Sequence, residues 1–263
     1  MEVKIACGYR ILDENLFAWI DKARAEGFRH LEISSTGLPV DPADADRVVA
    51  YAKECGFSLS IHAPFGKTNI TSPDPAVRAW SIERVSDAIR FAARHGIDLV
   101  ALHPGRLGAI EGEAPAEENL KQMTEILRDL LNVAKDGGVR LALENMEDRP
   151  NEIVHSVKEL NYFAPLAAEY SNFGVTMDFS HYLTLGQGLP NLKELKLPLF
   201  DVHLSQTVEG KPHFTLERKD GIADLSAIVK ALTEYGYGGP IVLEVREGHG
   251  ESYKILSEVM ARV

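Results

Sequence analysis

Short apolar runs rich in β-branched residues recur along the whole chain, and a segment with helical periodicity follows each of them. The runs are VKIACG near residue 3, FRHLEIS near 31, FSLSIHAPF near 60, IDLVALHPG near 101, VRLALENME near 142, FGVTMDFSH near 176, LFDVHLS near 202 and PIVLEVRE near 242. Between the first two, DENLFAWIDKARAEG places Leu16, Trp19, Ile20 and Ala23 on one helical face and stops at Gly27. DPADADRVVAYAKECG stops at Gly56, and SPDPAVRAWSIERVSDAIRFAARHG opens on a Ser/Asp cap with early prolines and stops at Gly96. PAEENLKQMTEILRDLLNVAKDGG, NEIVHSVKELNYFAPLAAEY, the short NLKELK, ADLSAIVKALTEYG and GESYKILSEVMARV continue the series as helices.

Regular alternation of this kind predicts parallel strands joined by helical crossovers. Eight repeats within 263 residues fit a closed (β/α)8 TIM barrel, which needs roughly 250 residues. They fit an open sheet less well, because such sheets more often have about five to seven strands and a glycine-rich nucleotide turn after the first. Here the first run leads into CGYRI, without GxGxxG. No linker or low-complexity stretch divides the chain, so residues 1–263 are expected to form a single domain.

Charge narrows the partners. With 28 Lys and Arg against 39 Asp and Glu the net charge is −11, and the average field repels nucleic-acid backbones and anionic membranes. Bound divalent ions can reverse that potential locally. Cys7 and Cys55 lie in unrelated segments and are expected as reduced, buried thiols. The opening MEVKIACGYR lacks the charged and apolar regions of a secretory leader, and no run approaches a membrane span, so a cytoplasmic location is expected.

In a (β/α)8 barrel the active site forms at the C-terminal ends of the strands, and here those ends are rich in metal-ligand types. The second run carries Glu32, the third His62, the fourth His103, the fifth Glu144 and Asn145, the sixth Asp178 and His181, the seventh His203 and the eighth Glu244; His213 follows the seventh. Glu144, Asp178 and Glu244 would repel one another in an apolar barrel mouth, and a buried carboxylate is costly without a cation. A divalent ion is the simplest remedy. Mixed ligation by Glu144, Asp178, His203 and Glu244 suits Mn²⁺, Co²⁺, Mg²⁺ or Zn²⁺, and His62 with His103 beside Glu144 offers a second, more zinc-like site. His30, His95, His155 and His249 read as surface or capping residues, and Trp19 and Trp80 as core. Arg106, Arg149, Lys211, Arg218 and Arg246 follow strand ends, where they are solvated loop charges or grips for a phosphate or carboxylate. There is no P-loop, GxSxG or Ser-His-Asp spacing, GHGES near 248 is a plain glycine-rich loop, and no organic cofactor is expected.

IHAPF, the helix running into ALHPG, LALENM, MDFSH, DVHLS and LEV together resemble the xylose isomerase-like TIM-barrel superfamily, from the third predicted strand to the eighth. That superfamily includes sugar and sugar phosphate isomerases and epimerases, hydroxypyruvate isomerase-like proteins and the endonuclease IV family acting on abasic DNA. The isomerase branch implies one metal held by Glu144, Asp178, His203 and Glu244, with Glu144 and Glu244 also moving the proton through a metal-stabilised enediolate and His181 on substrate oxygens. The endonuclease branch implies three zinc ions, adding His62, His103, His181 and His213. It also implies an aspartate two residues before the last histidine, where this chain has Lys211. The expectation is a metal-dependent isomerase or epimerase of a small sugar, sugar phosphate or hydroxy-carbonyl compound, with the abasic-DNA phosphodiesterase as the alternative. Barrels of this kind often assemble, so a homo-oligomer is an open expectation.

Overall fold

The computed structural model describes residues 3–8, 15–35, 38, 41–106 and 117–263. Its strands are β1 (Ile5–Gly8), β2 (His30–Ser34), β3 (Ser58–His62), β4 (Leu99–Leu102), β5 (Arg140–Glu144), β6 (Phe173–Asp178), β7 (Leu199–Leu204), β8 (Gln206–Val208), β9 (Lys211–Phe214) and β10 (Ile241–Leu243). The helices are α1 (Leu16–Glu26), α2 (Pro42–Glu54), α3 (Pro75–Arg94), α4 (Glu117–Asp136), α5 (Val157–Leu160), α6 (Ala164–Glu169), α7 (Phe179–Leu183), α8 (Leu225–Tyr235) and α9 (His249–Met260). Strands β1 to β7 and β10 close into one parallel barrel, and β8 pairs with β9 in a separate hairpin. The alternation of runs is thus a (β/α)8 barrel. The starts of the first and fourth predicted helices, at 13–14 and 115–116, lie outside the described residues.

Local chemistry sets the helix ends. The Asn15, Asp41 and Asp74 side chains accept the first free helical N–H groups of α1, α2 and α3, and Pro42 and Pro75 occupy early positions where the missing N–H costs nothing. Among the described residues, no helix is long and apolar enough to cross a membrane.

Side chains alternate across each strand. On β2 and β3, Leu31, Ile33, Leu59 and Ile61 are buried in the apolar core. Their neighbours His30, Glu32, Ser34, Ser58, Ser60 and His62 take the other face, and the pairing sets His30 beside Ser58, Glu32 beside Ser60 and Ser34 beside His62. A contact from Glu32 on β2 to His203 on β7 crosses the barrel, so this polar face is the interior.

Three expectations are corrected. The segment NEIVHSVKELNYFAPLAAEY is not one helix: α5, a 3-10 turn and α6 succeed one another. A capping box between Ser156 and Glu159 starts α5, and Pro165, which cannot donate, restarts the chain in α6. Trp80 is 49% exposed rather than core, because it lies beside the α3 stripe of Ser81, Val85, Ala88, Ile89 and Ala92 that faces the barrel. His30 is buried in the barrel interior, not on the surface. Cys7 is buried and Cys55 half-buried, and neither is in a disulfide among the described residues.

Candidate metal centre

Strand ends position the candidate ligands, and the chain spends one atom of several side chains on local structure so that the other faces the cluster. Asp178 closes β6 and caps α7: its Oδ1 accepts the N–H groups of Ser180 at 2.6 Å and His181 at 2.9 Å. Its Oδ2 is buried and makes no hydrogen bond among the described residues. His181 Nδ1 is held against the Asn145 carbonyl at 2.9 Å, which turns Nε2 inward. Asn145 fixes the two strand ends together by donating from Nδ2 to the Asp178 carbonyl at 2.9 Å while its Oδ1 accepts the Asp178 N–H at 2.8 Å. His213 stands on β9 with φ 74°, a left-handed conformation uncommon for a non-glycine residue. Its N–H donates to Ser205 Oγ at 2.9 Å, and its carbonyl accepts the Arg246 N–H at 3.2 Å.

The side chains so placed form overlapping groups. Glu144 Oε2 lies 3.2 Å from His62 Nε2 and 3.3 Å from His103 Nε2. Its Oε1 lies 3.3 Å from His203 Nδ1, which in turn is 3.5 Å from Glu244 Oε1. Glu144, Asp178, His203 and Glu244 offer donor atoms all within 4.8 Å of one another, as do Asp178, His181, His213 and Glu244. In the latter group the Nε2 atoms of His181 and His213 stand 3.3 Å apart, and Asp178 Oδ2 is 3.4 Å from His181 Nε2.

These separations fit a cation. Donors held tetrahedrally at about 2.0–2.1 Å from zinc stand roughly 3.3 Å from one another. The buried atoms without hydrogen bonds make the same case, because Glu144 Oε1, Asp178 Oδ2 and His203 Nδ1 all belong to the first four-residue group. Buried polar atoms are seldom left unsatisfied, and three that converge on one point fit a divalent ion.

The protein alone balances this charge with protons. Burial would lower the His203 pKa, but Glu32, Glu244 and Glu144 outweigh it and raise it well above the ordinary value. His62 and His181 are each held up to about 9, although burial pulls them down, by Glu144 at His62 and by Asp178 and Glu144 at His181. Glu144 is held well below the usual carboxylate range despite its burial, by His203 and His103. Three imidazolium groups thus stand in for cations, and metal ligation would expel their protons.

Above the centre is a cavity of about 270 Å³. His62, His103, His181, His213 and Glu244 reach its wall, whereas Glu144, Asp178, His203 and Asn145 lie beneath it. Glu32 also reaches the wall, from the strand interior rather than the strand end. Of the five cationic candidates, Arg106, Arg149 and Arg246 line the cavity. Arg106 pairs with Glu152 at 2.9 Å and Arg149 with Glu147 at 2.9 Å, so two of the three are already neutralised. Arg218 pairs with Asp220, and Lys211 is exposed on β9. Sequence reasoning missed Asp201, with Oδ2 3.2 Å from His203 Nε2, and Glu147, with Oε2 3.5 Å from His181 Nε2. The signal for Asp201 was the alternation in DVH, which puts Asp201 and His203 on one face of β7.

The fold and the convergence of carboxylates and imidazoles at its strand ends define a (β/α)8 barrel with a candidate metal centre at its mouth. Residues 20–262 match the xylose isomerase-like TIM barrel family, and the chain belongs to it. A protein of Methanocaldococcus jannaschii described as uncharacterised is 27% identical over 220 residues, 82% of this chain and 77% of that one. A probable endonuclease 4 of Acholeplasma laidlawii is 29% identical over 166 residues, 62% of this chain and 55% of that one. Among solved structures, a D-tagatose 3-epimerase-like protein shares the fold with a TM-score of 0.83 at 22% identity, over 99% of this chain and 98% of that one.

Proposed function

We propose that the protein is a divalent-metal-dependent isomerase or epimerase of a small sugar, sugar phosphate or related hydroxy-carbonyl compound. The observation that carries this reading is the four-residue group of Glu144, Asp178, His203 and Glu244 at the floor of a cavity of about 270 Å³, a size for a small molecule. These four residues would hold the ion. When bound, it supplies Lewis acidity that polarises a carbonyl and the neighbouring hydroxyl and acidifies the intervening C–H.

The chain's own groups do the rest. Glu244 has 18% of its side chain exposed and reaches the cavity wall, so it is the carboxylate that removes the proton from carbon. Burial raises the Glu244 pKa, but His203 leads the groups that bring it below the ordinary value, so it is ionised and ready as a base. Glu144, fully buried at the cavity floor and ionised in the resting protein, returns a proton that it takes from the His62 imidazolium, whose Nε2 stands 3.2 Å from Glu144 Oε2, while Glu244 releases its own to solvent. His181, His62 and His103 orient hydroxyl groups. The resemblance to a D-tagatose 3-epimerase-like fold supports this chemistry.

A second reading, zinc-dependent cleavage of abasic DNA, is favoured by the additional groups His62, His103 and Glu144 and Asp178, His181, His213 and Glu244, and by the relative named as a probable endonuclease 4. Against it stand the net charge of −11, the exposed Lys211 and the neutralisation of Arg106 and Arg149, two of the three rim arginines. One set of measurements separates the two: metal content of the purified protein, exchange of substrate carbon-bound protons with deuterated solvent across a sugar panel, and cleavage of an oligonucleotide bearing one abasic site. Proton exchange without strand cleavage is the expected result; strand cleavage with three zinc ions overturns it.

A further inference from the structure

We propose that Glu32 is a positioning residue that fixes His203 with Nδ1 toward the metal seat, and that it is held there by a one-way chain of hydrogen bonds running through the barrel interior to the opposite face. The inference rests on the reading of Glu144, Asp178, His203 and Glu244 as that seat.

The direction of the chain follows from counting hydrogens. Ser60 has one hydroxyl hydrogen and gives it to Glu32 Oε2 at 3.1 Å. Its 3.0 Å contact with His30 Nε2 is therefore one in which Ser60 accepts, which places the ring proton of His30 on Nε2. His30 Nδ1 is left as an acceptor for the Ser58 hydroxyl hydrogen at 2.9 Å, nearer than the Arg29 carbonyl that the same hydroxyl reaches at 3.3 Å. Lys4 Nζ, which can only donate, ends the chain at 3.3 Å from Ser58 Oγ, on the face of the barrel away from the cavity. Burial holds the His30 pKa down to about 4, so the ring is neutral and one tautomer suffices.

At the other end, Glu32 has one oxygen for Ser60 and one for His203. Its Oε1 stands 3.1 Å from His203 Nε2. Asp201 Oδ2 supports the same nitrogen at 3.2 Å, with its Oδ1 fixed by the Val202 N–H at 2.9 Å. With Nε2–H committed to carboxylates, the proton that metal ligation would expel from the His203 imidazolium is the one on Nδ1, and the lone pair it leaves faces Glu144 Oε1 and Glu244 Oε1. Hydrogen bonds in series polarise one another, so the donor chain from Lys4 strengthens the grip at Glu32. An apolar filling is the norm for this barrel interior, and the polar file on β2 and β3, which beyond this path takes in only Ser34 and His62 at the strand ends, departs from it.

Zinc affinity, measured on the full-length chain by chelator competition, tests the proposal. Glu32→Gln is expected to weaken zinc binding 10- to 100-fold, the usual effect of removing a partner behind a ligating histidine. Ser60→Ala is expected to weaken it severalfold in the same direction. A role confined to packing would not move the absorption spectrum of the cobalt-substituted protein or the His203 Nε2–H resonance of the zinc form; both are expected to change in Glu32→Gln. A folded Glu32→Gln with wild-type affinity and spectra overturns the proposal while leaving the metal seat intact. Should Glu32→Gln not fold, unchanged affinity in Ser60→Ala overturns it instead. A wild-type protein that takes up no divalent ion overturns both readings together.

Discussion

The Nε2 atoms of His181 and His213 face each other across 3.3 Å, one imidazole carried by the short helix that Asp178 caps and the other by a strand residue held in a left-handed conformation. Two rings from separate elements, brought nitrogen to nitrogen at the edge length of a tetrahedral site with Asp178 and Glu244 donor atoms within 4.8 Å, have the spacing that a second ion would need.

His213 is accordingly predicted to cost stability and contribute binding. A left-handed φ on a non-glycine residue stores on the order of 1 kcal/mol, and asparagine tolerates that conformation better. Metal-free His213→Asn should melt at or above the wild-type temperature by calorimetry, while zinc uptake measured by elemental analysis falls. A variant that melts well below wild type would show that the imbalance lies elsewhere.

The metal-free protein should lose stability on the alkaline side. Histidine ordinarily titrates near 6.5, and His62 and His181 are held up to about 9, so folding is favoured by their protons below pH 6.5 and loses that contribution as the pH rises through about 9. Glu144, held low, acts in the opposite sense and weakens the fold only as acid protonates it. Denaturant midpoints should therefore fall between pH 6.5 and 9.5 without metal and stay level with saturating zinc, which replaces those protons. Parallel curves with and without zinc would contradict this.

Glu144 and Glu244 should separate when each is changed to glutamine. Glu144 uses one oxygen toward His62 and His103 and the other toward His203, so it joins two ligand groups; Glu244 stands at the cavity wall. Glu144→Gln is expected to lower metal affinity at least tenfold and abolish turnover, whereas Glu244→Gln should abolish proton exchange with a smaller loss of metal. Calorimetric titration beside deuterium exchange reads both quantities. Equal loss of metal in the two variants would remove the distinction.

The convergence of Glu144, Asp178, His203 and Glu244 was legible because each falls at or beside a strand end, and strand ends are countable: each follows an apolar run of the right length. The support behind them was not. His30, Glu32, Ser58 and Ser60 sit inside strands, and FRHLEIS and FSLSIH carry the two-residue alternation that places them inward, but that pattern has no meaning until the barrel closes and brings β7 opposite β2. The β8–β9 hairpin was hidden for a different reason. Its turn rests on Glu209 and Gly210 with φ of 49° and 72°, a geometry that a Glu-Gly pair announces far less clearly than Asn-Gly. Helix α7 is a single capped turn, too short for any periodicity to reveal.

Asn145 joins fold to function most directly, and Asn145→Leu should damage both. The amide spans two neighbouring strand ends, giving to the Asp178 carbonyl and taking from the Asp178 N–H in a fully buried place. Leucine fills a similar volume but leaves both backbone groups without partners, at about 1–3 kcal/mol for each such group. A loss of roughly 2–4 kcal/mol in unfolding free energy is expected from urea titration of the metal-free protein. The strand end carrying Asp178 would then shift, so zinc affinity should drop as well, and saturating zinc should recover part of the lost stability by mass action. Asn145→Asp keeps the acceptor for the Asp178 N–H but loses the donor and adds a buried carboxylate beside those of Glu144 and Asp178, so it should be the less stable of the two without metal. A variant pair ranked the other way, or a leucine protein with unaltered zinc affinity, would show that Asp178 holds its place without this bridge.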